Sequence, residues 1–344
     1  MQFAISIGGP RRGTIQDDVE LVQFAERLGI DYAWAAEAWG RDAVTPLAYL
    51  AACTERIMLG TGILQISARV PAMTAMTALN LAALSNNRFV LGLGVSGPQV
   101  VEGLHGQRFQ PAFTRLRETV QILRKAFAGE KLEYHGRAFE LPLPGGEGKA
   151  LRIDQPANPD IPIFLATLGP KALQFTGAEA DGWLGTSFTP DRPQAHMQHL
   201  RDGAAQAGRD FATLACQVQA NLAIGDDVEA LIASMKPGVA FQMGAMGSAR
   251  TNFYNDAVCR AGHEDDARAI QALWVAGKRD EAVARVPDDM VLKFGLVGNA
   301  EMVRERLGVY RDAGITCINL RTPALDGPTR MAALEQAMDV LRAD

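Results

Sequence analysis

The sequence has few cysteines and no surplus of positive charge. Its four cysteines, Cys53, Cys216, Cys259 and Cys317, lie far apart and form no C-x-x-C pair, which excludes a disulfide framework and predicts a reducing compartment. Lys and Arg number 34 against 39 Asp and Glu, a net charge of -5. Nucleic acid is therefore not an expected partner, because a phosphate backbone is bound through an excess of cations.

Long hydrophobic runs are also absent. No stretch approaches the roughly 18 consecutive apolar residues of a membrane-spanning helix. Residues 1–8 include an apolar run, but no basic segment precedes it, so the sequence predicts a strand there and not a signal peptide. We expect a cytoplasmic protein that has no membrane partner.

The chain of 344 residues instead alternates short apolar runs with amphipathic runs, a pattern typical of parallel βα units. Strands are predicted near 3–8, 31–36, 57–64, 89–94, 161–166, 182–186, 214–224 and 315–321. Helices are predicted near 15–28, 44–55, 71–84, 111–127, 170–179, 190–207, from 226 onward, and 328–342. Eight such units favour an α/β fold of the (β/α)8 TIM-barrel type, although the count alone leaves an open doubly wound sheet possible.

Two stretches interrupt this alternation. Residues 129–160 contain a hairpin-like segment and a loop rich in proline and glycine, and residues 226–313 are almost entirely helical in pattern. We interpret them as insertions after the fourth and seventh strands of a single domain spanning 1–344. The alternative for 226–313 is a separate helical domain.

The active site of a parallel barrel lies at the carboxyl ends of its strands. Glu37 is the one carboxylate that the prediction places at such an end, inside the barrel mouth, which makes it the candidate catalytic residue. Its structural alternative is an ion pair with Arg41 or Arg321 that fixes the second strand. The strand ends show no Ser/His/Asp arrangement.

Residues 92–97 match G-x-G-x-x-G after a strand, the pattern of a dinucleotide fingerprint. The match is weak, because the fingerprint opens a helix at once and the next clear helical pattern begins only near 111. Three interpretations stay open: glycines that turn a strand into a loop, backbone closely approached by a flat or phosphorylated cofactor, and a nicotinamide site.

Residues 168–172 (LGPKA) give free N–H groups at a predicted helix start, with Lys171 beside them. This arrangement suits a phosphate group, and equally a capped helix with a solvated lysine. His196 and His199 lie three residues apart on one predicted helix, but no third ligand is placed, so we expect surface histidines and no metal site.

Several motifs together resemble the luciferase-like superfamily, and in particular its branch that uses the deazaflavin coenzyme F420, which includes methylenetetrahydromethanopterin reductase. They are residues 37–42 (EAWGRD), 60–63 (GTGI), 89–103 (FVLGLGVSGPQVVEG), 168–172 (LGPKA), 180–183 (ADGW) and 296–298 (LVG). The likeness follows the order of the chain over nearly its whole length.

The resemblance implies a TIM barrel, often a homodimer, that holds F420 at the carboxyl ends of the strands. It implies a non-prolyl cis peptide at Gly62–Ile63 behind the deazaflavin ring. It also implies that the coenzyme is lined by the loop after the fourth strand and that its phosphate is held after the fifth. The matching positions are Gly94, Ser96 and Gly97 in the first loop, and Thr167, Leu168, Gly169, Pro170 and Lys171 in the second.

The chain departs from this pattern at two places. Several relatives have Asp-His where Glu37-Ala38 stands, and some have a glutamate where Val95-Ser96 stands, so sugar-phosphate and alcohol oxidation are not expected. We expect hydride transfer between the deazaflavin C5 and a small organic substrate with an activated C=N or C=C bond. The alternatives are an FMN-dependent monooxygenase of the same superfamily and a coenzyme-binding barrel without turnover.

Overall fold

The computed structural model describes residues 1–8, 13–246, 252–322 and 327–343. The strands are β1 (Gln2–Ile7), β2 (Tyr32–Ala35), β3 (Met58–Thr61), β4 (Leu64–Gln65), β5 (Phe89–Gly94), β6 (Tyr134–His135), β7 (Glu140–Leu141), β8 (Ile163–Ala166), β9 (Gly182–Gly185), β10 (Ala215–Ile224), β11 (Gly295–Gly298) and β12 (Cys317–Arg321).

The helices before the long insertion are α1 (Ile15–Arg27), α2 (Val44–Cys53), α3 (Pro71–Leu84), α4 (Pro98–Val101), α5 (Ala112–Phe127), α6 (Pro170–Glu179) and α7 (Gln194–Gln206). Those that follow β10 are α8 (Val228–Gly244), α9 (Phe253–Val258), α10 (Glu264–Val275), α11 (Arg279–Ala284), α12 (Asp288–Lys293), α13 (Ala300–Asp312) and α14 (Gly327–Arg342). Among the described residues, none of these helices is both long and apolar enough to cross a bilayer.

Eight strands form a closed ring. Hydrogen-bonded neighbours follow the order β10, β12, β1, β2, β3, β5, β8 and β9, and β9 pairs in turn with β10. Closure by parallel strands, each followed by helix, is the (β/α)8 TIM barrel that the sequence predicts. The open doubly wound sheet is therefore excluded.

The third predicted strand, 57–64, is divided in two. β3 pairs with β2 and β5, whereas β4 pairs with β5 alone. The break falls at Gly62 and Ile63, whose peptide bond is cis, as the resemblance implied.

The chain divides into two compact units, and unit 1 comprises Met1–Ile5, Gln23–Ile30 and Thr167–Asp344. In unit 1 the long strand β10 pairs along one edge with β12 and along the other with β9 and then β11. β11 corrects the expectation that 226–313 is almost entirely helical. Its four residues lie between helical patterns, and a strand this short gives no readable alternation.

Helices of the long insertion share a hydrophobic core with the sheet of unit 1. Val239 and Met243 of α8 and Ile270 of α10 are buried in one cluster with Val297 of β11. Ala223 of β10 packs against the same cluster. Because strand and helix side chains form one core, the insertion does not bury its apolar surface alone.

Unit 2 comprises Ser6–Val22 and Asp31–Ala166, and it includes the shorter insertion, in which β6 and β7 form an antiparallel pair. The carboxylate of Glu118, on α5, accepts hydrogen bonds from the backbone N–H groups of Arg137, Ala138 and Phe139. Burial works to raise the pKa of Glu118, but these donors outweigh it and hold the pKa below its usual value. The charged carboxylate thus fixes the hairpin on α5.

Local sequence signals mark the ends of several elements. Pro71 and Pro170 are the first residues of α3 and α6, where a missing N–H costs nothing. Gly29 and Gly314 have φ of 73° and 88°, the left-handed conformation that ends a helix before the next strand.

Candidate functional site

Glu37 follows β2 in unit 2 and is held by backbone and side-chain contacts. Its N–H donates to the carbonyl of Ile63 at 3.1 Å, and its Oε2 lies 2.6 Å from Nη1 of Arg69, with side-chain exposures of 11% and 21%. Both predicted structural partners were wrong, because Arg41 pairs with Asp18 at 2.6 Å and Nη1 of Arg321 lies 3.5 Å from Oε1 of Gln219. Arg69 comes after β4, and no local sequence pattern links it to β2.

Gln65 lies beside Glu37 and is 1% exposed. Its Nε2 donates to the carbonyls of Glu37 and Ala38 at 3.0 and 3.1 Å, which fixes the backbone after β2. Its buried Oε1 has no hydrogen-bond donor within the described part of the chain. A buried acceptor without a donor is costly, so this oxygen is a candidate contact for a bound ligand.

Gly62, Ile63 and Gly94 come together in unit 2. A Cβ on Gly62 would stand 3.0 Å from the Cβ of Trp34, and one on Gly94 would stand 3.0 Å from Cδ1 of Ile63. Trp34 itself is 1% exposed. Glycine is needed at both positions because neighbouring side chains already fill the space.

The loop after β5 does not open a long helix. Ser96 has a φ of 59°, and Gly97 precedes α4, a single turn of four residues. A dinucleotide fingerprint requires a full helix at this point, so the nicotinamide interpretation of Gly92–Gly97 is wrong. The structure groups Gly94 with Ile63, and places Ser96 and Gly97 further along the same loop.

In unit 1, the five residues predicted to hold a phosphate run from the loop after β8 into the first turn of α6. The carbonyl of Thr167 accepts from Nε1 of Trp183 at 2.9 Å, and its hydroxyl lies 2.7 Å from that of Thr176. Gly169 is the N-cap of α6 and supplies no side-chain acceptor. Lys171 is exposed, so the first turn presents N–H groups with a cation beside them.

Arg260 is a second cation at this turn, and no local sequence pattern indicated it. Its Nη2 donates to the carbonyl of Leu168 at 3.0 Å. It belongs to the π-helical turn Cys259–His263 that precedes α10. Because 92 residues separate the two partners, only the tertiary fold brings them together.

His196 is not a surface residue, contrary to expectation. It is 1% exposed, with its ring 5.5 Å from Trp183 and 5.8 Å from Phe188 between centroids. Burial lowers the pKa of His196 to about 4, so its neutral form packs as an aromatic side chain. The described ranges contain no group of three His, Cys, Asp or Glu side chains placed to bind a metal ion.

Known proteins resemble this chain over most of its length. The sequence model of a family described as luciferase-like monooxygenase matches residues 1–317. A Mycobacterium tuberculosis protein named as a coenzyme F420-dependent oxidoreductase is 40% identical, and the alignment covers 97% of this chain and 99% of that protein. The 5,10-methylenetetrahydromethanopterin reductase of Archaeoglobus fulgidus is 27% identical, with 91% of each chain covered.

Among solved structures, the coenzyme F420-dependent tetrahydromethanopterin reductase of Methanopyrus kandleri matches with a TM-score of 0.81 at 23% identity. The match covers 99% of this chain and 98% of the other, so the two share a fold over their whole length. The chain belongs to the luciferase-like monooxygenase family, in its branch of coenzyme F420-dependent oxidoreductases.

Proposed function

We propose that the protein transfers a hydride between coenzyme F420 and a small organic substrate. The observation that carries the proposal is the grouping of Gly62, Ile63 and Gly94 with the buried Gln65 Oε1 in unit 2. It supports the proposal because a buried acceptor that lacks a donor lies in register with Gly94, next to this tightly packed backbone.

The residues of unit 2 fit a flat heterocycle. Glycine at 62 and 94 lets Trp34 and Ile63 approach closely, and a ring N–H would supply the donor that Gln65 Oε1 lacks. We propose that Gly62, Ile63 and Gly94 back the coenzyme ring, while Ser96 and Gly97 line it further along the loop.

The turn after β8 in unit 1 fits the phosphate of the coenzyme. It offers the N–H groups at the start of α6, with Lys171 and Arg260 as cations. Backbone N–H groups and positive side chains together favour a charged phosphate. We propose that Thr167, Leu168, Gly169, Pro170 and Lys171 bind it, with Arg260 as an addition from the structure.

When bound, the reduced coenzyme supplies a hydride from C5. The protein contributes mainly the orientation of the two reactants, which is worth on the order of 7–11 kcal/mol when the geometry is good. Arg69 holds the Glu37 carboxylate in one position, where it acts on the substrate as a proton carrier or an electrostatic partner. We propose an activated C=N or C=C bond as the acceptor, since its reduction requires little acid–base assistance.

Binding titrations with F420 and with FMN test the proposal. The fluorescence of oxidised F420 should change on binding and saturate at one site per chain, and FMN should bind more weakly. Reduced F420 should then be reoxidised without oxygen when an imine or enone acceptor is added. Tighter binding of FMN, with turnover that requires oxygen, would instead establish the monooxygenase alternative.

The proposed phosphate contacts have their own test. Lys171→Ala and Arg260→Ala should each weaken F420 binding by roughly 0.5–2 kcal/mol, the range of helix-terminus and charge-assisted interactions. Arg304→Ala, on the exposed face of α13, is the matched control and should bind F420 as the unaltered protein does. If both site variants kept full affinity, the phosphate would not lie at this turn.

We also propose a homodimer, on the resemblance alone. Sedimentation equilibrium should give twice the chain mass of 37.0 kDa. A single species at the chain mass would overturn this proposal.

A further inference from the structure

Trp183 is the last residue of the ADGW segment, residues 180–183, and the proposed function gives it no part. It lies on β9 and is 0% exposed. Its Nε1 donates a hydrogen bond to the carbonyl of Thr167 at 2.9 Å. A buried indole N–H of unit 1 therefore holds the first residue of the segment that is proposed to bind the phosphate.

The indole of Trp183 is itself fixed by its surroundings. Gly185 lies two residues further along β9, on the same side of the strand, and a Cβ at this position would collide with the indole. The rings of Phe188 and His196 lie 5.9 and 5.5 Å from that of Trp183, between centroids. Because neighbours enclose the indole, its N–H is directed steadily at the carbonyl of Thr167.

Two hydroxyl groups hold the same turn from α6. Thr176 is 0% exposed, and its hydroxyl donates to the carbonyl of Ala172 at 2.9 Å, since a carbonyl can only accept. The hydroxyls of Thr176 and Thr167 lie 2.7 Å apart, so the hydrogen between them belongs to Thr167. The hydroxyl of Thr167 therefore donates inward, to α6, and holds the turn.

The first turn of α6 offers its N–H groups to a ligand. The N–H of Leu173 donates to the carbonyl of Gly169, the N-cap, at 2.9 Å. The N–H groups of Lys171 and Ala172 precede this bond, so the helix itself supplies no acceptor for them. Their direction is set by the backbone between two held carbonyls, that of Thr167 and that of Ala172.

We propose that Trp183 and Thr176 are positioning residues for the phosphate of the coenzyme. Neither touches the phosphate, and together they hold the turn so that its N–H groups converge on one anion. Because these donors are already ordered, less conformational entropy is lost when the phosphate binds. Loss of either bond should therefore weaken binding of the phosphate and leave binding of the ring unchanged. This inference rests on the proposed function.

The test compares FO, the deazaflavin fragment of the coenzyme without phosphate or tail, with FO 5′-phosphate, which differs only in the phosphate. Dissociation constants are measured by fluorescence titration on the full chain. The unaltered protein should prefer the phosphorylated fragment by about tenfold or more, since hydrogen bonds to a charged group are the stronger kind.

Trp183→Phe keeps an aromatic ring and removes the N–H. The preference for FO 5′-phosphate should fall by roughly three- to tenfold, the effect of one buried hydrogen bond, and the affinity for FO should not change. Trp274→Phe is the matched control, because it makes the same chemical change at a half-buried site on α10 of the same unit. It should retain the full preference.

Thr176 supplies a second pair of variants, which decides the case if Trp183→Phe does not fold. Thr176→Val keeps the shape of the side chain and removes the hydroxyl, so it should also lower the preference for FO 5′-phosphate. Thr176→Ser keeps the hydroxyl and should retain the preference.

Melting temperatures of the same preparations separate positioning from a role in stability alone. A lower melting temperature with an unchanged preference for FO 5′-phosphate would overturn the inference. Equal weakening of both ligands in Trp183→Phe and Thr176→Val would overturn it as well, because the effect would then not act through the phosphate.

Failure of the proposed function would be distinguishable from failure of this inference. If neither fragment nor F420 binds, the coenzyme assignment is wrong and this inference falls with it. If F420 binds but the unaltered protein does not distinguish FO from FO 5′-phosphate, or no variant changes the preference, the function stands and only the positioning role is wrong.

Discussion

The carboxylate of Glu37 forms an ion pair with Arg69, so the charge of Glu37 is the property to test. Its Oε2 is 2.6 Å from Arg69, so Glu37→Gln removes a charge while it keeps the shape of the side chain. If Glu37 acts in the reaction, turnover should fall about 10²-fold or more, the usual contribution of a general acid or base. F420 affinity should stay near that of the unaltered protein.

The matched control is Asp18→Asn, which removes a carboxylate from Arg41 at the same 2.6 Å separation. Turnover and melting temperature are measured on the same preparations. A purely structural Glu37 would show the opposite pattern, with a lower melting temperature and full turnover for each folded molecule.

His196 makes stability depend on pH. The folded protein holds its pKa near 4, because of burial, against 6.5 for the ordinary group. Unfolding therefore takes up a proton between these values, and stability falls as the pH drops through that window. The loss from this group should be about 2 kcal/mol between about pH 7 and pH 5.

His196→Phe keeps an aromatic ring beside Trp183 and removes the titration. Urea unfolding at the two pH values should show a smaller pH effect in this variant than in the unaltered protein. His135→Phe, at an exposed site on β6, should leave the effect unchanged. The explanation fails if both variants lose stability with falling pH as the unaltered protein does.

At the scale of elements, α6 and α7 pack at glycine contacts. A Cβ on Gly203 of α7 would stand 1.8 Å from the carbonyl oxygen of Gln174 on α6, whereas a Cβ on Gly308 of α13 would meet nothing within 4 Å. Gly203→Ala should thus lower the free energy of unfolding by roughly 2 kcal/mol or more. Gly308→Ala should raise the free energy of unfolding by about 0.5–1 kcal/mol, because alanine has a higher helix propensity than glycine.

The two substitutions are chemically identical, so each is the control for the other in chemical denaturation. Because α6 begins at the proposed phosphate turn, Gly203→Ala should also weaken F420 binding, whereas Gly308→Ala should not. Equal effects of the two variants on stability would contradict the packing argument.

Elements with repeated local signals were predictable. β5 was predicted at its observed bounds, and the start of α6 at Pro170 followed from helix-cap chemistry. The cis peptide at Gly62–Ile63 was expected only from the family resemblance, and the division of the third strand there was not predicted. β11 was missed because four residues carry no readable period. That residues 1–344 form a single domain stays a prediction.

The parts of the candidate site that are formed by backbone could be predicted from the sequence. The parts that depend on side chains distant in the sequence could not. Glycine and proline patterns indicated the loops after β5 and β8. Arg69 beside Glu37 and Arg260 beside Leu168 depend on partners 32 and 92 residues away. No periodicity or local motif contains such pairings, since they are set by how the chain folds back on itself.

For the whole molecule, a coenzyme that binds only the folded state raises the melting temperature. At a free concentration of about 100 times the dissociation constant the gain is about 2.7 kcal/mol, which for a chain of this length corresponds to a shift of about 4 °C. Scanning calorimetry should show this shift with F420. FMN at the same concentration is the comparison, and an equal or larger shift with FMN would contradict the coenzyme assignment.

The pairing of β10 with β11 has a consequence for how this family can vary. Ile224 is in register with Gly298, and the N–H of Gly225 donates to the carbonyl of Gly298 at 3.1 Å. The segment between the two strands therefore leaves β10 at Ile224 and rejoins the sheet on the neighbouring strand at Gly295, which is in register with Asn221. A segment whose two ends are neighbours behaves as a cassette: it can be lengthened, shortened or exchanged between relatives while its attachment points stay in place.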